Sequence, residues 1–150
     1  MSLYDLIKPE NIVLGLSADS RMSLFRALAR LSAERTGLKS VDVVCALTAR
    51  EKLGSTALGG GVAMPHARVA GLREPFCMFV RLAKSCSIEA DAAPADLIFL
   101  LLAPERPASE HLLILSQAAR LLRDPQVTTH LRQASDPAIA RESFAAPQAA

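Results

Sequence analysis
Between residues 50 and 66 the chain gathers side chains suited to one kind of chemistry: Arg50, Ser55, Thr56, the run Gly59-Gly60-Gly61, and the pair Pro65-His66. A neutral imidazole attacks phosphorus near pH 7, because its ordinary pKa is about 6.5. The group in transit is anionic and needs cationic or N–H donors around its oxygens. Arg50 supplies a planar guanidinium that fits phosphate with two donors, and Ser55 and Thr56 supply hydroxyls. A glycine run lets backbone N–H groups turn toward one anion, so the triglycine is expected to join the pocket. Pro65 restricts the residue before it and stiffens the approach to His66. The pattern suits phosphoryl transfer through His66. The chain carries no P-loop and no kinase-type nucleotide or magnesium motif. No metal or cofactor is needed if the donor is itself a phosphohistidine.

The same residues admit plainer readings. A histidine after proline in a loop is often an ordinary polar residue, the glycines can be a bare turn, and Arg50-Glu51 can be a solvated helix end. His111 falls near the start of a helix for which Ser109 is the expected cap. There it either faces solvent or steadies an anion beside unpaired N–H groups. His130, in a late helix with Arg and Thr neighbours, is expected on the surface. A metal module of His66, His111 and a cysteine finds no support in the ligand spacing.

The elements that must position these side chains follow from periodicity. Ile12-Val13-Leu14 reads as a buried strand. Asp19 or Ser20 caps a helix with Leu24, Leu28 and Leu31 on one face, stopped by Gly37. Ser40 is expected to cap a second helix, with Val43, Val44 and Leu47 inward, ending near Gly54. Residues 55–65 read as a loop into a short strand around 62–64. Phe76–Leu82 and Asp96–Leu102 read as strands, the second apolar throughout and so covered on both faces. Beyond Pro104 a helix is expected to bury Leu112, Leu115, Ala119 and Leu122. Asp124-Pro125 and Asp136-Pro137 each place a cap before a proline at the first helical position. Alternating strands and helices predict a three-layer α/β/α fold around a central mixed sheet, as one domain over residues 1–150 with a frayed tail from 145 onward.

Composition narrows the function. Net charge is +2 and basic residues are scattered, so no nucleic-acid stripe is visible; with no Trp and one Tyr there is no stacking platform. The most apolar run, Leu97–Ala103, is bounded by Asp96 and Pro104, short of the roughly 20 residues a spanning helix needs. The opening MSLYDLIKPEN carries acids and proline where a signal peptide needs a basic and then an apolar stretch. The expected location is the cytoplasm, with no direct membrane insertion. Cys45, Cys77 and Cys86 fit no zinc or redox spacing and are expected as small apolar fillers.

REKLGSTALGGGVAMPH, residues 50–66, resembles the signature of the mannitol/fructose/nitrogen-regulatory class of phosphotransferase-system enzyme IIA domains. LIKPENIVLGL at the start, and ADLIFLLLAPE followed by SEHLLILSQAARLL, are similar to that class as well, with the opening nearest to its nitrogen-regulatory branch. The resemblance implies that His66 is the phosphorylated histidine and that His111 assists without being phosphorylated. It further implies that Arg50 is the active-site arginine and that Ser55 and Thr56 line the phosphate pocket. Ala67 stands where the class often has glycine. The stretch SCSIEADAAPAD lacks the usual Asp-Gly turn, so Asp91 is assigned no role. The implied donor is an HPr-like phosphocarrier, charged from phosphoenolpyruvate by enzyme I. Two outputs are implied: regulation, in which phosphorylation decides which target proteins bind, or sugar uptake, in which the phosphoryl group passes to a IIB domain. The stand-alone length and the opening favour regulation.

Overall fold
Most element starts have a visible local cause. The computed structural model describes residues 2–88, 93–106 and 109–145. In chain order the elements are α1 (Leu3–Leu6), a 3-10 turn (Pro9–Asn11), β1 (Ile12–Leu16), α2 (Arg21–Thr36), α3 (Ser40–Lys52), β2 (Ala57–Gly59), β3 (Val62–Ala63), β4 (His66–Val69), β5 (Phe76–Cys86), β6 (Ala95–Pro104), α4 (Ser109–Leu122), α5 (Pro125–Gln133) and α6 (Pro137–Glu142). Ser20 caps α2 by accepting from the Ser23 N–H at 3.1 Å. Gly37, left-handed at φ 79°, ends the same helix. Asp124 accepts from the Gln126 N–H at 2.9 Å and Asp136 from the Ile139 N–H at 3.0 Å, each just ahead of its proline. Ser40 is not a cap, against expectation: Lys39 holds that position without a side-chain bond, and its carbonyl takes the Asp42 and Val43 N–H groups at 3.0 and 3.3 Å.

The strands form one mixed six-stranded sheet in the order β1-β5-β6-β3-β2, with β4 also pairing with β6. β5 and β6 are antiparallel, and β1 runs parallel to β5. β3 and β4 lie one after the other along the same edge of β6, both parallel to it. The Met64-Pro65 step joins them. Pro65 has no N–H to give, but its carbonyl accepts from the Leu101 N–H at 3.1 Å.

Alternation along β5 and β6 makes two cores. Phe79, Leu97, Phe99 and Leu101 face α1, α4, α5 and α6; Met78, Val80, Ile98 and Leu100 face α2 and α3. The sheet is therefore covered on both sides, the expected three layers. The apolar run of β6 is buried from Ala95 through Ala103 apart from the half-buried Asp96.

Several local expectations are corrected. Residues 57–59 are a strand, not loop, and His66 opens a strand instead of sitting in a loop. On α4 the fully buried residues are Ile114, Ala118, Leu121 and Leu122, with the expected Leu115 and Ala119 partly buried against the same core. Leu112 is exposed, lying off the stripe that Ile114, Ala118 and Leu121 turn inward. Ser109 is the first helical residue, and residues 107–108 before it lie outside the described set. Cys45 is exposed, while Cys77 and Cys86 are buried; burial pushes the Cys77 thiol up to about 12. His130 is half-buried, with Nδ1 2.5 Å from the Ser143 hydroxyl. The expectations for Asp91 and for residues 146–150 fall outside the described residues. No helix among the described residues is long and apolar enough to cross a membrane.

Candidate active site
His66 stands at the first position of β4, opposite Leu101. Period-two alternation turns Ala67 and Val69 into the core beneath α2 and α3, and leaves His66 half-buried on the other face together with the exposed Arg68. The ring is fixed at both nitrogens. Nδ1 lies 2.8 Å from the Met64 carbonyl, two residues back. A carbonyl only accepts, so Nδ1 carries the proton and Nε2 carries the lone pair. Arg50, in the last turn of α3, donates its Nε–H to that Nε2 at 3.2 Å. Its Nη1 donates to the Gly54 carbonyl at 3.0 Å. The lone-pair nitrogen thus faces a guanidinium that is itself anchored at a second point.

The His66 pKa lies below the ordinary imidazole value. Burial is the largest cause, and the charges of Arg50 and His111 add to it; the Met64 carbonyl and Glu51 act in the opposite direction. The folded ring stays neutral where an unfolded one protonates. Stability from this residue is accordingly lost as pH falls through about 6.5, where the unfolded chain takes up a proton that the native ring refuses. Above that value the contribution is flat. NMR titration of His66 is expected to give a midpoint under 6.5, so that the ring stays neutral to lower pH than an unshifted histidine.

Behind Arg50, the buried Glu51 accepts from the Thr56 N–H at 3.1 Å and from its hydroxyl at 2.8 Å. This pins the end of α3 to the start of β2. The Thr56 hydroxyl therefore points at Glu51. The Ser55 hydroxyl accepts from the Ala57 N–H at 3.1 Å, on an exposed residue. Glu51→Ala leaves two buried donors of Thr56 unpaired, for which about 2–4 kcal/mol of stability is expected to be lost. Urea unfolding measures it, and Glu51→Gln, which keeps an acceptor, is expected to lose less.

The glycine run does not reach this site. Gly59–Gly61 turns β2 into β3, with φ between 65° and 85° at all three. Val62 pairs with Leu97 whereas His66 pairs with Leu101. That separation is four residues, roughly 13 Å along β6. Arg132 grips the turn instead, donating to the Gly60 carbonyl at 2.8 Å and to both Asp96 oxygens at 2.8 and 2.9 Å. The positive φ values explain the glycines without any anion.

His111, in the first turn of α4, is close enough for its charge to act on His66. Its Nε2 is 3.4 Å from Nη2 of Arg68. The structure thus brings Arg50, His66 and His111 together, keeps Ser55 and Thr56 on the connection beside Arg50, and adds three features the sequence reading missed. These are the Met64 carbonyl, the Glu51 carboxylate and Arg68. Arg68 had a signal, since it sits two residues after His66 in a strand. Around the site, Leu53 is 84% exposed, Leu112 60% and Leu113 59%.

The chain matches the family described as "Phosphoenolpyruvate-dependent sugar phosphotransferase system, EIIA 2" over residues 5–145. The chain belongs to that family. Among curated proteins this EIIA chain is 41% identical to a nitrogen regulatory protein of Bradyrhizobium diazoefficiens over 150 residues, covering 99% of this chain and 98% of that one. Among solved structures it is similar to the nitrogen regulatory protein IIA-Ntr of Neisseria meningitidis, with TM-score 0.88 and 34% identity over 95% of this chain and 98% of that one. It also shares the fold of Escherichia coli enzyme IIAMTL, solved in complex with phosphorylated enzyme IIBMTL, at TM-score 0.75 and 23% identity over 93% and 99% of the two chains. The EIIA domain is thus of the nitrogen-regulatory kind, and its family membership supports a phosphocarrier-type role.

Proposed function
We propose that His66 accepts a phosphoryl group on Nε2 from an HPr-like phosphocarrier, and that the charged and uncharged forms bind different regulatory target proteins in the cytoplasm. One observation carries this reading: the half-buried ring donates its Nδ1–H to the Met64 carbonyl and aims its Nε2 lone pair at Arg50. In the transfer, the Nε2 lone pair forms a bond to phosphorus while the P–N bond of the donor breaks and returns its electrons to the donor ring. Positive charge gained by the His66 ring spreads to Nδ1–H, where the Met64 carbonyl stabilises it. Arg50 Nε–H, now on Nε2, moves onto a phosphoryl oxygen as the new bond forms, and the Gly54 carbonyl limits how far the guanidinium travels. His111 supports the group from the α4 side.

The exposed Leu53 follows Arg50, and the exposed Leu112 and Leu113 follow His111. Apolar side chains beside a half-buried nucleophile suit a macromolecular donor and target. Phosphorylation adds roughly 1.5 to 2 negative charges to this surface, enough to repel an acidic partner and recruit a basic one. Reconstitution with enzyme I, an HPr-like carrier and phosphoenolpyruvate tests the first half: acid-labile label on this chain is expected, and none contradicts it. Calorimetry with a target protein tests the second, where equal affinity for the two forms counts against a switch.

A further inference from the structure
We propose that Arg68 is a second guanidinium of the phosphoryl site, resting on His111 while the site is empty and turning onto the phosphoryl oxygens when His66 is charged. This rests on the reading of His66 as the acceptor. Arg68 is two residues after His66 in β4, so both side chains leave the same face of the strand, about 7 Å apart at their origins. An arginine side chain spans that distance. Its guanidinium has only donors, so the contact of Nη2 with His111 Nε2 at 3.4 Å requires the lone pair on that nitrogen and the proton on Nδ1. The contact is long, and an imidazole nitrogen is a weaker acceptor than an anionic oxygen. Hydrogen bonds to an anion are shorter and about twice as strong. A phosphoryl oxygen therefore outcompetes the imidazole for the same donor.

Charge supports the exchange. A phosphoryl group of nearly two negative charges meets Arg50 on the α3 side. Glu51 nearby is anionic in type and already engaged by Thr56. Arg68 brings the matching cation from the strand side. Once it moves, His111 Nε2 is free to take a different partner, which couples the charge of His66 to the exposed first turn of α4.

The test is steady-state phosphoryl acceptance by Arg68→Gln and Arg68→Lys from a phosphorylated HPr-like carrier, with kcat and KM separated. Arg68 is exposed, so the fold survives either change, and circular dichroism checks it. Arg68→Gln is expected to lower kcat about tenfold or more, with Arg68→Lys recovering part of it. Wild-type kcat in Arg68→Gln overturns the proposal. So does a loss confined to KM, which would make Arg68 a carrier-docking residue. A wild-type chain that accepts no label sinks the parent reading and this one with it.

Discussion

His66→Ala takes up no label from the phosphocarrier, a loss on the order of 10⁴-fold or more, while the fold stays intact. No other described imidazole stands in the same way. His111 Nε2 lies against Arg68, and His130 is held by Ser143. The structural cost is small. The His66 ring is half-buried and its removal deletes the bond to the Met64 carbonyl, worth about 1 kcal/mol. Arg50 loses its contact with Nε2 but keeps the Gly54 carbonyl. Autoradiography after incubation with enzyme I, carrier and labelled phosphoenolpyruvate reads the first effect, and urea unfolding reads the second. Label retained at the wild-type level in His66→Ala moves the acceptor elsewhere.

Arg50→Lys is expected to lower the rate of acceptance about a hundredfold. The guanidinium has two simultaneous duties, Nε–H on His66 and Nη1 on the Gly54 carbonyl. A lysine ammonium is a single point on a flexible stem and cannot serve both with fixed geometry. Charge is conserved in this variant, so the loss isolates the planar fork. Arg50→Gln adds a second reading. The Arg50 charge helps to hold the His66 pKa down, so its removal raises the titration midpoint of His66. Rapid-quench kinetics and a histidine NMR titration on the same two proteins separate these effects. Equal rates for wild type and Arg50→Lys would leave the arginine a structural role only.

Much of the fold was legible because the signals were local. Ser20, Gly37, Asp124 and Asp136 each act within a few residues of themselves, and their caps stand where the sequence puts them. The unbroken apolar run of β6 announced a strand covered on both sides. Misreadings arose where tertiary pairing decided. Ala57–Gly59 has no strand signature and becomes one because β3 lies beside it. On α4, periodicity alone fits more than one stripe, so Leu112 was expected inside whereas Ile114, Ala118 and Leu121 hold that face. At the site, the grouping of Arg50, His66 and His111 came from residue types together with resemblance. The triglycine misled because a flexible turn and an anion cradle share one composition. Only the register along β6 separates them. Glu51 looked like a solvated helix end, because nothing in its neighbours reveals that Thr56 folds back over it.

The proposed chemistry requires that His66 hold its proton on Nδ1 and react through Nε2. Nitrogen-15 NMR of histidine-labelled protein, before and after charging by the phosphocarrier, tests it most directly. The expected spectrum shows a neutral His66 with Nδ1 protonated, then a phosphorus coupling on its Nε2. Phosphorus bonded to Nδ1, or to His111 in place of His66, would contradict it.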